Sequence, residues 1–415
     1  MERAELSQAL LAWRRREAGD GRREPILISE PDPVRFMAAF AAAVAGDSDV
    51  FLCDPNWGVA EKAQVQELLK SKIENPKSKI ARGWLMIPTG GSSGTLRHAR
   101  HDQNTIAAAV QGFTQHFALL RVNAVGVLPL HHVSGFMAWM RCVLTGGEFR
   151  PLDWKRLETG ELPELPAKPD GWVISLVPTQ LERLLGSAAA VGWLRRFRMV
   201  LLGGAPAWPA LLERAATLRL PLSFSYGMTE TAAMVTALRP EEFLAGLRTS
   251  GTALPHFKVR VTAEETVSLE GDSVFRGYYP GWQDERHFLT GDLGRMDERG
   301  HLTILGRRDG VIISGGEKIQ PAEIEAMLRS TGEFEDVVVV GIPDPEWGES
   351  VAVVYPANCH PDLAKVESLW REKYAAYKRP KHYVALGQWE RGDSGKVDRT
   401  DLVRTVEIYL RNGGK

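Results

Sequence analysis

Strand–helix alternation along the first half of the chain predicts an α/β protein with a large N-terminal domain of parallel-rich sheets and helices plus a short β-rich region. A small α+β C-terminal domain follows. Three observations carry this. First, apolar segments at 50–53, 83–87, 124–128, 172–177, 199–203 and 222–225 are separated by helical stretches, the pattern of parallel strands covered on both faces. Second, residues 257–305 break into short β segments joined by turns: FKVRVT, TVSLE, SVFRGYY and HLTIL. Third, helix and strand return in a smaller unit after Gly306. The boundary is expected at 306–310, dividing residues 1–306 from 307–415.

The elements follow from local signals. Asp32 as N-cap, Pro33 behind it and Gly46 past the end predict a helix over 32–46. A second helix covers 59–70. The strand at 83–87 runs into a glycine-rich loop, 89–94, and a long helix is expected from 102 to 120, with RHARH at its opening. Further helices fall at 134–145, 178–186 and 207–218. Residues 153–170, rich in proline and acids, read as a surface loop. In the C-terminal unit a helix at 321–330, strands at 336–341 and 350–355, a helix at 362–373, a strand at 382–386 and a last helix at 399–411 are expected.

Composition excludes several classes. At 415 residues the chain exceeds one ordinary core. Its 51 basic and 52 acidic residues leave a net charge of −1, so no global field favours nucleic acid. Cys53, Cys142 and Cys359 are widely spaced with no CxxC pair, which fits a reducing compartment. The N-terminal MERAELSQALLAWRRREAGDG has no continuous apolar core, and no run approaches the roughly 20 apolar residues of a membrane span. A cytoplasmic location is expected. Nothing fixes the oligomeric state, a homo-oligomer included.

The chemistry sits in short motifs. PTGGSSGTLR, residues 88–97, follows a strand. Its glycines allow backbone N–H groups to approach phosphate oxygens, and its hydroxyls and Arg97 add donors. It matches neither GxxxxGK[ST] nor GxGxxG. On the residues alone a phosphate cradle and a plain surface turn both stay open. MVLLGGA brings Gly203 and Gly204 to a strand's end, as ligand room or as a tight turn. SYGMTET, residues 225–231, holds an aromatic, a hydroxyl and a carboxylate in one short run. TGDLG places Asp292 in an expected turn, 15 residues before Arg307 (307 − 292). A hinge-like Asp309–Gly310, a second glycine loop at 314–317 and RGDSGKVDRTDL near the C-terminus complete the set.

These boxes, in this order, resemble the adenylate-forming acyl-activating enzymes. The resemblance implies a two-step reaction in which a carboxylic acid is joined to AMP from ATP and then passed to the thiol of CoA, with Mg²⁺ on the phosphates. It implies that Thr89, Gly91, Ser92, Ser93 and Gly94 cradle phosphates, in a loop whose usual lysine position is Arg97 here. His101 falls where the family usually has a histidine. Gly203, Gly204 and Gly227 border the nucleotide, and Tyr226 offers its face to adenine. Thr229 binds phosphate, Glu230 holds magnesium, and Asp292 with Arg307 binds the ribose. Asp309 is the hinge of a mobile C-terminal domain, Gly315 and Gly316 line the thiol tunnel, and Lys396 is the adenylation lysine.

The segment LPLHHVSGFMAWMR looks most like that of o-succinylbenzoate–CoA ligases, enzymes of menaquinone or phylloquinone synthesis. There His132 borders the acyl pocket, His131 stands where phenylalanine is usual, and Arg141 meets the second carboxylate of the substrate. An arginine in an otherwise apolar helix is costly to bury without a partner. A CoA ligase for another aryl or acyl acid, and a noncatalytic nucleotide-binding scaffold, are the readings that compete.

Overall fold

A computed structural model describes residues 25–45, 48–70, 85–90, 96–166, 171–314, 317–344, 347–373, 378–387, 397 and 399–411. Its described strands form four sheets. The first joins Ile26–Ile28, Val50–Leu52 and Leu85–Gly90 in parallel, with Leu96–His101 antiparallel at its edge. The second has seven strands. Phe149–Pro151, Asn123–Gly126, Trp172–Leu176, Met199–Leu202 and Leu222–Met228 run parallel. Ala233–Ala237 then turns back antiparallel, followed by Thr252–Ala253.

The parallel strands are short, and Trp172–Leu176 and Met199–Leu202 in the middle of the sheet are almost wholly buried, as expected for a sheet covered on both faces. One core cluster includes Ile174, Leu176, Leu181, Leu202 and Leu211. A second, between the two sheets, includes Phe36, Phe40, Leu85, Phe136 and Met137. The third sheet is the antiparallel succession Phe257–Val261, Thr266–Gly271, His287–Met296 and Leu302–Arg307. After Arg307 the fourth begins at Ile312–Ser314, and its centre is Gly348–Pro356, which pairs with Ile312–Ser314, Val338–Asp344 and His382–Leu386.

Several expectations need correction. RHARH opens no helix: Leu96–His101 is a strand, paired Thr89 to Arg97 and Leu85 to His101. Its polar residues hid it, because the burial of His98, Arg100 and His101 depends on partners distant in sequence. The helix that follows spans Gln103–His116, not 102–120. Ala118, in a left-handed conformation at φ 52°, and the fully exposed Leu120 lie beyond its end. SVFRGYY forms no strand and makes one isolated bridge, Ala99 to Tyr278. Asp292 lies in a ten-residue strand with an irregular register just after it, not in a turn. Residues 153–166 include a short helix, Trp154–Glu158, capped by Asp153. The strand Ile26–Ile28 had no expectation at all.

One buried ion pair ties these parts together. Asp102 caps the Gln103–His116 helix by accepting from the Thr105 backbone N–H at 2.8 Å, and its other oxygen accepts from Arg276 Nε at 2.8 Å. The Asp102 side chain is 1% exposed and that of Arg276 9%. Removing one partner of such a pair strands a buried charge, which costs ~3–5 kcal/mol. Arg276→Met is therefore expected to lower the urea midpoint of unfolding clearly; an unchanged midpoint contradicts this role.

Candidate active site

Parallel α/β sheets present loops and helix N-termini at the C-terminal ends of their strands. Here the Met199–Leu202 strand ends at Gly203–Gly204. Gly204, with φ at 80°, takes a left-handed turn that disfavours side chains. Next to it, Leu222–Met228 ends in Tyr226 and Gly227 and runs into the short 3₁₀ turn Thr229–Thr231. A Cβ on Gly227 would lie 1.8 Å from the Ala233 carbonyl oxygen, so the close hairpin with Ala233–Ala237 requires glycine.

Two hydrogen bonds organise this edge. Tyr226 donates its hydroxyl to Asp292 Oδ2 at 2.6 Å, and Arg307 Nη1 approaches Asp292 Oδ1 at 3.4 Å. Burial, then the Asp292 charge, raises the Tyr226 phenol well above its ordinary range, so it stays a donor. The structure thus brings together Tyr226, Asp292 and Arg307, three residues that the resemblance assigns to the nucleotide. The second bond was not foreseen: Tyr278 donates to Glu230 Oε1 at 2.6 Å, and the exposed Arg97 guanidinium lies 4.3 Å from the Tyr278 ring centre. The RGYYP run read as a β element, so its aromatics carried no site signal.

Backbone contacts fix Thr229–Thr231 from behind. Phe275 N–H donates to the Glu230 carbonyl at 2.9 Å, and Ser273 Oγ to the Thr231 carbonyl at 3.0 Å. His101 is fully buried, with Nε2 2.8 Å from the Thr229 carbonyl oxygen and Nδ1 3.2 Å from Thr105 Oγ1. Burial lowers its pKa to about 4. It is a neutral brace, and the bond to the Thr229 carbonyl identifies Nε2 as the protonated nitrogen. The Thr229 hydroxyl makes no hydrogen bond among the described residues, which leaves it a donor for an incoming group. Magnesium, the implied cation, suits a site of one carboxylate completed by phosphate oxygens and water. Glu230, 7% exposed and oriented by Tyr278, fits that demand.

The segment that the resemblance assigns to the acid forms the helix Val133–Thr145. His132 holds its N-cap position, and a Cβ on Gly135 would lie 2.2 Å from the Pro129 carbonyl oxygen. Arg141 lies ~13 Å further along the axis from His132 at ~1.5 Å per residue. It is 4% exposed, its guanidinium carbon lies 4.1 Å from the Phe113 ring centre, and Nε has no hydrogen-bond partner. No carboxylate pairs with it among the described residues. Burial lowers its pKa to about 10, so it stays a cation at neutral pH.

The remaining expected residues divide. Thr89 is half-buried in the Leu85–Gly90 strand opposite Arg97. Asp309 falls in the short 3₁₀ turn Arg308–Gly310 between the third and fourth sheets. Gly91, Ser92, Ser93, Gly94, Gly315, Gly316 and Lys396 lie outside the described residues.

Residues 18–279 match the AMP-binding enzyme family, and residues 323–396 the AMP-binding enzyme C-terminal domain. A 2-succinylbenzoate–CoA ligase of Listeria monocytogenes serotype 4b is 33% identical over 286 residues, covering 66% of this chain and 60% of the relative. One of Geobacillus kaustophilus is 32% identical over 308 residues, covering 68% and 61%. The chain spans about three fifths of the length of these relatives. Among solved structures, an o-succinylbenzoate CoA synthetase from Bacillus subtilis in complex with the acyl-adenylate intermediate OSB-AMP superposes with a TM-score of 0.79 at 22% identity, covering 96% of this chain and 91% of that one. ATP-bound MatB from Rhodopseudomonas palustris gives 0.78 at 21%, covering 98% and 93%. Both share the fold.

If Asp292 is the ribose acceptor, Asp292→Asn is expected to weaken ATP binding ~10- to 100-fold, the ~1.5–3 kcal/mol of charged hydrogen bonds. Binding of 2′,3′-dideoxy-ATP should change far less. Calorimetric titration of both nucleotides checks this, and equal losses for the two contradict it.

Proposed function

The chain belongs to the AMP-binding enzyme family, and from that premise we propose that it is an ATP-dependent acid–CoA ligase acting on o-succinylbenzoate. In the first step a carboxylate oxygen of the acid attacks the α-phosphorus of ATP, forming acyl-AMP and releasing pyrophosphate. In the second, the CoA thiol attacks the acyl carbonyl, loses its proton and expels AMP. The product serves menaquinone or phylloquinone synthesis. All three reactants are small cytoplasmic molecules, and no helix among the described residues is long and apolar enough to cross a membrane.

Each residue takes a part in that reading. Tyr226, held by its hydroxyl, turns a fixed ring face to adenine beside Gly203, Gly204 and Gly227. Asp292 accepts from the ribose hydroxyls with Arg307 beside it. Thr229 donates to phosphate, as do Thr89 and the 91–94 loop. Glu230 would hold Mg²⁺, which neutralises phosphate charge when bound. Lys396 stabilises the charge that develops at the α-phosphate during adenylation. Rotation of residues 307–415 about Asp309 then withdraws Lys396 and brings Gly315 and Gly316 to the pantetheine path. His132 borders the acyl group.

The observation that carries the choice of acid is the uncompensated charge of Arg141. Burial without a carboxylate partner among the described residues lowers its pKa, so the cation is destabilised in the ligand-free protein. Phe113 offsets only part, since a buried cation–π contact contributes ~2 kcal/mol. A second carboxylate on the substrate supplies the missing counter-charge; a monoacid does not.

Ligation of an acid panel by wild type and Arg141→Met tests this. Wild type is expected to thioesterify o-succinylbenzoate. The variant should lose on the order of a hundredfold or more in kcat/KM for it, as when one partner of a buried charge pair is truncated. Monocarboxylic aryl acids should lose little. No ligation of o-succinylbenzoate by wild type, or equal losses for mono- and diacids, overturns the proposal.

A further inference from the structure

Three potential ligands from two parts of the fold converge beside the acid side of the cleft. Asp54 follows the Val50–Leu52 strand of the first sheet, while His131 and His132 immediately precede the Val133–Thr145 helix. Each offers one ligand atom, and these atoms all lie within 4.8 Å of one another. Asp54 is 7% exposed and His131 6%. The two imidazole rings are 4.4 Å apart between centres, tilted by 54°.

Hydrogen bonding among the described residues leaves a ligand nitrogen of this group unsatisfied. His131 Nε2 is buried without a hydrogen-bond partner, although Asp54 Oδ2 is 3.4 Å away. That distance lies beyond ordinary hydrogen-bond lengths. Leaving such a nitrogen unsatisfied costs ~1–3 kcal/mol. Meanwhile Asp54 Oδ1 accepts from the Asn56 backbone N–H at 2.8 Å, which fixes the carboxylate and aims Oδ2 at His131. A carboxylate oriented by a second hydrogen bond is the outer-shell support that metal ligands commonly have.

We propose that Asp54, His131 and His132 bind a divalent transition-metal ion of the Zn²⁺ class. Two imidazoles and a carboxylate suit Zn²⁺ or Co²⁺, whereas Mg²⁺ prefers an all-oxygen shell. Zinc–ligand bonds of ~2.0–2.2 Å leave tetrahedral ligand atoms ~3.3 Å apart. The Asp54–His131 separation already matches, and small side-chain rotations bring in His132. Three protein ligands leave the fourth position open to water or an anion. The site is thus sorted chemically from Glu230, and it stands whether or not the ligase reading holds. If that reading holds too, the ion immobilises His132 at the acyl pocket and inhibits ligation.

The full chain, stripped with EDTA, is titrated with Zn²⁺ by calorimetry and with Co²⁺ by visible absorption, in excess Mg²⁺. The expected result is one Zn²⁺ per chain and the intense d–d bands of tetrahedral Co²⁺. Asp54→Asn and His131→Phe should each weaken binding at least tenfold. Thermal melts of the stripped variants verify folding. If Asp54→Asn fails to fold, His131→Phe decides alone. Absence of Zn²⁺ binding, or undiminished binding in a folded variant, overturns the proposal.

Discussion

Tyr226 and Asp292 come from different sheets, and the hydrogen bond between them fixes how those sheets meet. Tyr226 lies near the C-terminal end of the fifth parallel strand of the seven-stranded sheet; Asp292 lies mid-strand in the antiparallel sheet that follows. Their 2.6 Å contact fixes an aromatic ring and a carboxylate in one geometry before any ligand arrives. A mobile tyrosine would have to be ordered on binding, at a cost in side-chain entropy. The same logic applies beside it, where Tyr278 orients Glu230 and His101 braces Thr229. Asp102 and Arg276 complete the frame, capping a helix at one end and anchoring the 273–278 segment at the other.

Three arginines among the described residues are buried, and their surroundings differ. Arg276 has a full counter-ion in Asp102. Arg100 lies over Tyr279 and Trp282, and Nη2 reaches the Pro280 carbonyl at 3.5 Å. Arg141 has, among the described residues, only the Phe113 face. A protein retains an unpaired buried cation at a net cost to stability, and the cost is relieved when an anion enters. On the proposed reading, that cost is the source of specificity for a dianion, in an apolar helix where a methionine or leucine would pack more cheaply.

Much of this was legible from residue order. Parallel strands announced themselves by short apolar runs, and the site boxes by close spacing within each. The spacing of Asp292 and Arg307 reflects their facing each other across two paired strands, while Tyr226 joins them from another sheet. What failed to read shares one physical cause, dependence on distant partners. Leu96–His101 is a polar strand whose burial comes from Phe51, Trp57 and Tyr279. Tyr278 gained its role only from a carboxylate 48 residues earlier. Asp54 stood outside every motif, since its meeting with His131 spans two sheets. Asp292 looked like a turn residue because glycines flank it, yet Gly291 is pressed by the Arg307 guanidinium, whose nearest atom would lie 2.7 Å from an added Cβ.

The central claim is that this preformed cleft activates a dicarboxylic acid with ATP. Exchange of labelled pyrophosphate into ATP measures that step directly, independent of CoA and of the thiol half-reaction. The account predicts exchange that requires both Mg²⁺ and o-succinylbenzoate and that monocarboxylic aryl acids do not support at comparable rates. Absence of exchange with o-succinylbenzoate, or equal exchange with benzoate, would contradict it.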